Sequence, residues 1–196
     1  MKEIKIDSTK KLFLYKTFLY RNVHFTTDSD SVAIKDIVEA LNIKKRNKRI
    51  EFIFDRACQR IDEHNKGINM CEFCDGQCKI QKGTKYYNGC CRLCKYQSDK
   101  GCTTSNLSCK LFFCDAAQEN FEPLKFRDLP LLKLYTFRQR YMVIFSFFSS
   151  REQMLFDLKL GLIITYGFRC FYTVIGAFIR MDIQNIKALL NRNKNK

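Results

Sequence analysis

Hydrophobic positions recur at helical spacing on both sides of a central stretch that shows no periodicity at all. Near the start, "IKI" (residues 4–6) reads as a short strand, whereas the aromatic run "KLFLYKTFLY" (residues 11–20) fits no single period. Asp30 is a good helix N-cap, and Ile34, Ile37, Val38 and Leu41 follow at the spacing of one helical face. The run "KKRNKR" (Lys44 to Arg49) then links this helix to a second one. The second helix collects Ile50, Ile53, Phe54, Ala57, Cys58 and Ile61 into an apolar stripe, with Gly67 as its stop. Cys58 lies inside that stripe and reads as a small buried hydrophobe.

Beyond Glu122-Pro123 the helical period returns. Asp128 and Pro130 predict a helix start running through "LLKLYTFRQRYMVIFSFF". Ser149 to Glu152 has the form of a capping box and predicts a long helix from about Arg151 towards Ile179. A short helix, "MDIQNIKALL", precedes a solvated tail, "NRNKNK".

Between Asn69 and Cys114 the pattern is different. Glycines 76, 83, 89 and 101 punctuate it, and cysteine replaces aliphatic residues as the main buriable type. Such a segment cannot bury enough apolar surface to offset the entropy of ordering its backbone, so a covalent or coordinative constraint is expected. The expected fold class is therefore mainly α: a helical protein with an irregular, metal-organised cysteine-rich module in its middle. Three regions follow: an N-terminal basic helical region (1–68), the cysteine-rich metal-binding module (69–116), and a C-terminal helical region (117–196) that packs on the first.

Composition narrows the function. Hydrophobic residues make up 46% of the chain, enough for a true core and against wholesale disorder. The formal charge is +15. Eight thiolates around two zinc ions would lower it by four, to about +11, because ligating thiols are deprotonated. A basic surface favours nucleic acid or anionic membrane as partner. The segment "MKEIKIDSTKKLFLYKTFLYRNVHF" is interrupted by Lys16 and Arg21 and does not read as a secretory signal. Nine of the eleven cysteines fall between Cys71 and Cys114. An odd cluster, in a chain long enough to have a core, argues for a reducing cytoplasm over disulfide staples.

Cys71-x2-Cys74 and Cys91-x2-Cys94, sixteen residues apart, have the spacing of a four-cysteine zinc site, in which each turn offers two sulfurs to one tetrahedral ion. Cys78, Cys90, Cys102, Cys109 and Cys114 remain. A second site is expected from Cys102, Cys109 and Cys114 with Cys78 or Cys90, giving one or two Zn2+ in all. An iron–sulfur cluster in electron transfer or sensing is the alternative, since soft thiolates suit both. The first triplet, CxxCxxxC, matches neither the CxxCxxC run of bacterial ferredoxins nor the CxxxCxxC loop of radical enzymes that use S-adenosylmethionine. His24 and His64 lie outside the cluster and read as surface histidines.

"CEFCDGQC", followed by "GCTTSNLSCKLFFC", resembles the bacterial cysteine-cluster family of zinc- or iron-chelating proteins (YkgJ-type). That family's opening C-x-x-C-G-x-C-C is approached by Cys71, Cys74, Gly76 and Cys78. Its closing C-[RK]-x-[FY]-x-C is matched by Cys109, Lys110, Phe112 and Cys114. Here one residue is inserted before Gly76, Lys79 stands where the second adjacent cysteine would be, and an Arg-Pro between the last groups is missing. The resemblance covers roughly 45 residues and implies chelation without catalysis.

Other classes find less support. There is no phosphate loop, no Ser/His/Asp arrangement and only two histidines, so an enzyme is not expected. "AIKDIVEALNIKKRNKRIEFI" superficially resembles a helix-turn-helix, but Lys48 and Glu51 occupy expected core positions and the turn should exceed three or four residues. Lysines interleaved with Tyr86, Tyr87 and Tyr96 keep nucleic-acid binding as a further alternative. "LGLIITYGFRCFYTVIGAFI" (Leu160 to Ile179) carries Arg169 near its centre, which costs about 2.5–3.5 kcal/mol in a bilayer. Burial between helices is expected there in preference to membrane association.

Overall fold

The computed structural model describes residues 2–16, 22–65, 73–74, 77–78, 96–98, 101–113, 118, 121–146, 149–161 and 166–168, with short helical pieces between 171 and 190. Strand β1 (Lys2–Lys5) leads through a 3-10 turn (Thr9–Lys11) into helix α1 (Leu12–Lys16) and strand β2 (Val23–Thr26). Helices α2 (Val32–Asn42) and α3 (Arg46–His64) follow. Next come four two-residue strands, β3 (Phe73–Cys74), β4 (Gln77–Cys78), β5 (Gln97–Ser98) and β6 (Gly101–Cys102), and the helical turn α4 (Leu107–Lys110). Two 3-10 segments (Phe126–Asp128 and Pro130–Leu134) precede helices α5 (Phe137–Phe145) and α6 (Arg151–Leu160). Helix dominates the described residues, as the periodicity predicts.

The core is built on α3. Its predicted stripe of Ile50, Ile53, Phe54, Ala57, Cys58 and Ile61 is buried throughout, and it packs against α2, α4, α6 and the Pro130–Leu134 segment. Tyr135 is fully buried beside it and donates its hydroxyl to Ile50 O at 2.9 Å. Asp36 of α2 is also buried, and the Arg60 guanidinium meets both of its carboxylate oxygens at 2.7 and 2.9 Å. A buried carboxylate is tolerable only when paired in this way, and the pair holds α2 against α3.

β1 and β2 pair in parallel, from Lys2↔Val23 to Lys5↔Thr26. Val23 and Phe25 turn into the core while His24 faces out. On β2 the amide of Asn42 takes the place of a further strand. It accepts from Phe25 N at 2.9 Å and donates to Phe25 O at 2.8 Å. Lys44 Nζ adds a bond to Val23 O at 2.6 Å. An edge so occupied offers no template for another chain.

Several expected boundaries move. Ser31, not Asp30, is the N-cap of α2. Four of the six residues of "KKRNKR" form the first turn of α3, so the link shrinks to residues 43–45. In place of the predicted helix from Asp128, two 3-10 turns form, Phe126–Asp128 and Pro130–Leu134, and the second buries Leu131, Leu132 and Leu134. Tyr135 and Thr136 are extended, and the Thr136–Gln139 capping box restarts the helix as α5. The next box is Ser150–Gln153, one residue later than expected.

The expected long helix towards Ile179 stops at Leu160. Gly161 adopts a left-handed φ of 68° and donates its N–H to Asp157 O at 2.8 Å, a glycine stop that ends the helix. Beyond it Tyr166 is buried, but Phe168, Phe171, Tyr172, Phe178 and Ile179 are more than half exposed, against the expected burial. Among the described residues no helix is long and apolar enough to cross a membrane.

Phe54 is fully buried at the centre of α3. Phe54→Ala should therefore cost roughly 3–5 kcal/mol in urea unfolding, whereas Lys48→Ala should change stability by less than about 0.5 kcal/mol. Equal, small effects would contradict a core built on this helix.

Candidate metal centre

Of the nine cysteines expected to bind metal, Cys71, Cys90, Cys91, Cys94 and Cys114 lie outside the described residues. Cys74, Cys78 and Cys102 fall on β3, β4 and β6, and Cys109 lies on α4, partly buried and outside any disulfide. A stretch expected to be irregular therefore contains two short hairpins. β3 pairs with β4 antiparallel, Phe73 opposite Cys78 and Cys74 opposite Gln77. The residues between are Asp75-Gly76, a pair suited to a two-residue turn. β5 pairs with β6 in the same way. Thr103 lengthens this second hairpin, its N–H and hydroxyl both donating to Tyr96 O, at 2.8 and 2.9 Å. Among the described residues no group of three or more Cys, His, Asp or Glu is placed to hold an ion.

The chain leaves the cysteine-rich stretch through a buried polar anchor at Asn106. Its Oδ1 caps α4 by accepting from Ser108 N at 2.8 Å. Its Nδ2 donates to Ser149 O at 2.8 Å, Ser149 Oγ at 2.7 Å and Ser146 O at 3.0 Å. The Ser108 hydroxyl donates to Val143 O, and the Ser146 and Ser149 hydroxyls meet at 2.9 Å. Asn106, Ser108, Ser146 and Ser149 are all buried. A network this enclosed is stable only when every member is satisfied, which pins α4, and Cys109 with it, to the junction of α5 and α6.

Cys58 was expected to be structural, and the surroundings explain why. It lies at a cleft of about 540 Å³ whose rim carries Asp55, Asp62, Lys110 and Arg151. Arg151 grips Asp55 through two bonds of 2.8 and 2.6 Å, and Lys110 pairs with Asp62. The thiol donates to Ser105 O at 3.8 Å. Burial, with Asp62 and Asp55 adding smaller pushes that Lys110 opposes, raises its pKa to about 12. A group so raised stays a neutral thiol, not the thiolate a metal needs. His24 and His64 are exposed, as expected, with His64 Nε2 3.1 Å from Glu122 O.

The link between α2 and α3 is three residues, shorter than expected and compatible with a helix-turn-helix. Past its first turn α3 carries Glu51, Asp55, Asp62 and Glu63, each paired with a cation: Lys159, Arg151, Lys110 and Arg60 in turn.

The chain matches no family profile, no curated protein and no solved structure.

In the folded protein the Cys58 thiol should resist iodoacetamide at pH 8 and begin to react only as pH approaches about 12. A denatured control should react readily at pH 8, where an ordinary thiol is partly ionised. Peptide mass spectrometry reads both. Fast native labelling at pH 8 would contradict a desolvated thiol.

Proposed function

We propose that the chain is a non-enzymatic metal-binding protein in which residues 69–116 hold one or two zinc ions in a structural role. The observation that carries this reading is the register of the first hairpin. Neighbouring positions on a strand alternate between its two faces. Cys74 stands opposite Gln77, and Cys78 stands opposite Phe73. The two cysteine positions are therefore one step out of phase and suit different ligand sets. This supports a first site of Cys71, Cys74, Cys91 and Cys94. The second then draws on Cys102, Cys109 and Cys114, with Cys78 or Cys90 completing four.

The Asn106 anchor gives such a module something firm to bind against. It fixes α4, which carries Cys109, to the helical body through bonds that need no metal. Metal would then order the glycine-rich stretch upstream, whose composition cannot do so alone. A closed set of four thiolates leaves no position for substrate, consistent with a structural ion.

Protein purified without oxygen should contain zinc and be colourless. Cys74→Ser and Cys91→Ser should each release about one ion, and combining them should release no more, because four thiolates share one tetrahedral zinc. Cys78→Ser should leave that ion in place. Metal-free protein would overturn the proposal. Iron with brown absorption would replace zinc with a cluster, and equal loss from Cys74→Ser and Cys78→Ser would overturn the division into two sites.

A further inference from the structure

A smaller cavity, about 180 Å³, opens where α1, the start of α3 and the Leu134–Gln139 stretch converge. Lys16, Arg46 and Arg49 line it together with Gln139, and no carboxylate lies among its described lining residues. Lys16 Nζ and Arg140 Nε both donate to one acceptor, Tyr135 O, each at 3.0 Å. Two cations are thus brought to a single carbonyl at the cavity wall. The remaining positive groups are also held by main-chain oxygens. Arg46 Nη1 donates to Lys159 O at 2.7 Å, Arg49 Nη1 to Ile43 O at 2.7 Å, and Arg140 Nη2 to Lys133 O at 3.1 Å. Among the described residues no ion pair joins Lys16, Arg46 or Arg140 to a carboxylate.

Like charges gathered in a partly desolvated space repel one another, and an anion among them removes that cost. The effect is visible on Lys16, whose pKa falls to about 8, first through burial and then through the charge of Arg140. Planar guanidinium forks and an ammonium suit the oxygens of a tetrahedral anion. Size narrows the ligand further. Pockets that enclose drug-sized molecules begin at about 300 Å³, so this cavity accepts an oxyanion group and leaves any larger remainder outside.

We propose that this cavity binds one tetrahedral oxyanion, a phosphate group, between Lys16 and Arg46, with Arg140 adding its charge from beside Lys16. No cysteine is among the cavity's described lining residues, and the proposal does not depend on which metal the cysteine module holds. Sulfate is the first probe, because it does not titrate near neutrality. Inorganic phosphate and phenyl phosphate then distinguish a free ion from the terminal group of a larger ligand: tighter binding of the phenyl ester indicates the latter.

Lys16 shares the cavity with Arg46 and Arg49 from α3 and with Tyr135, whose phenol is pushed above its ordinary range by burial, and Arg140 of α5 lies beside it at Tyr135 O. The arginines stay charged, so Lys16 alone among them loses charge between pH 7 and 9.5. For the full-length, metal-loaded chain at constant ionic strength, sulfate should raise Tm saturably while chloride does not. Its affinity should fall about tenfold between pH 7 and 9.5, and about as much in Lys16→Met, the loss expected for one charge-assisted contact. Should that variant fold poorly, acetylation of Lys16 in the unaltered protein at pH 8 gives a second readout, and sulfate should protect it. Equal stabilisation by chloride, or sulfate binding indifferent to pH with Lys16 unprotected, would overturn the proposal.

Discussion

The side-chain amide of Asn106 joins what the sequence separates. One oxygen caps α4, and one nitrogen reaches Ser149 and Ser146 at the junction of α5 and α6. These groups are buried, so losing one partner would leave several donors and acceptors unsatisfied, each costing about 1–3 kcal/mol. The chain emerging from the cysteine-rich stretch is therefore committed to one place on the helical body. Any metal site that uses Cys109 is built from that fixed point.

The entry to the stretch is fixed by a different force. α3 delivers the chain after His64, and its hold on the body is largely apolar, supplemented by Asp36–Arg60 and, nearer the surface, by Asp55–Arg151 and Glu51–Lys159. Charge is unevenly distributed along this one helix. Its first turn contributes Arg46 and Arg49 to the cavity beside α1, while the carboxylates further along are each paired with a cation. A net charge of +15 thus does not mean a uniformly basic surface.

Legibility in the sequence followed the kind of signal each element leaves. The buried faces of α2 and α3 were readable because the apolar period persists for three or more turns. β2 was not: four residues give too few alternations, and its stabilisation by Asn42 comes from beyond its own segment. The stop at Gly161 was written in the chain but was outweighed by the apolar residues that follow it. Asp75-Gly76 likewise announced a hairpin whose strands, two residues each, were too short to show a pattern. Cysteine spacing suggested coordination directly. The oxyanion cavity left no local trace, because Lys16, Arg46 and Arg140 become neighbours only through tertiary packing.

The central claim is that metal orders the cysteine-rich stretch while packing orders the helices on either side. Limited proteolysis of the fully reduced protein, with and without a chelator, tests it most directly. The account predicts that metal removal opens cleavage sites between Asn69 and Thr103 while α3, α5 and α6 remain protected. An identical cleavage pattern in the two states would contradict it.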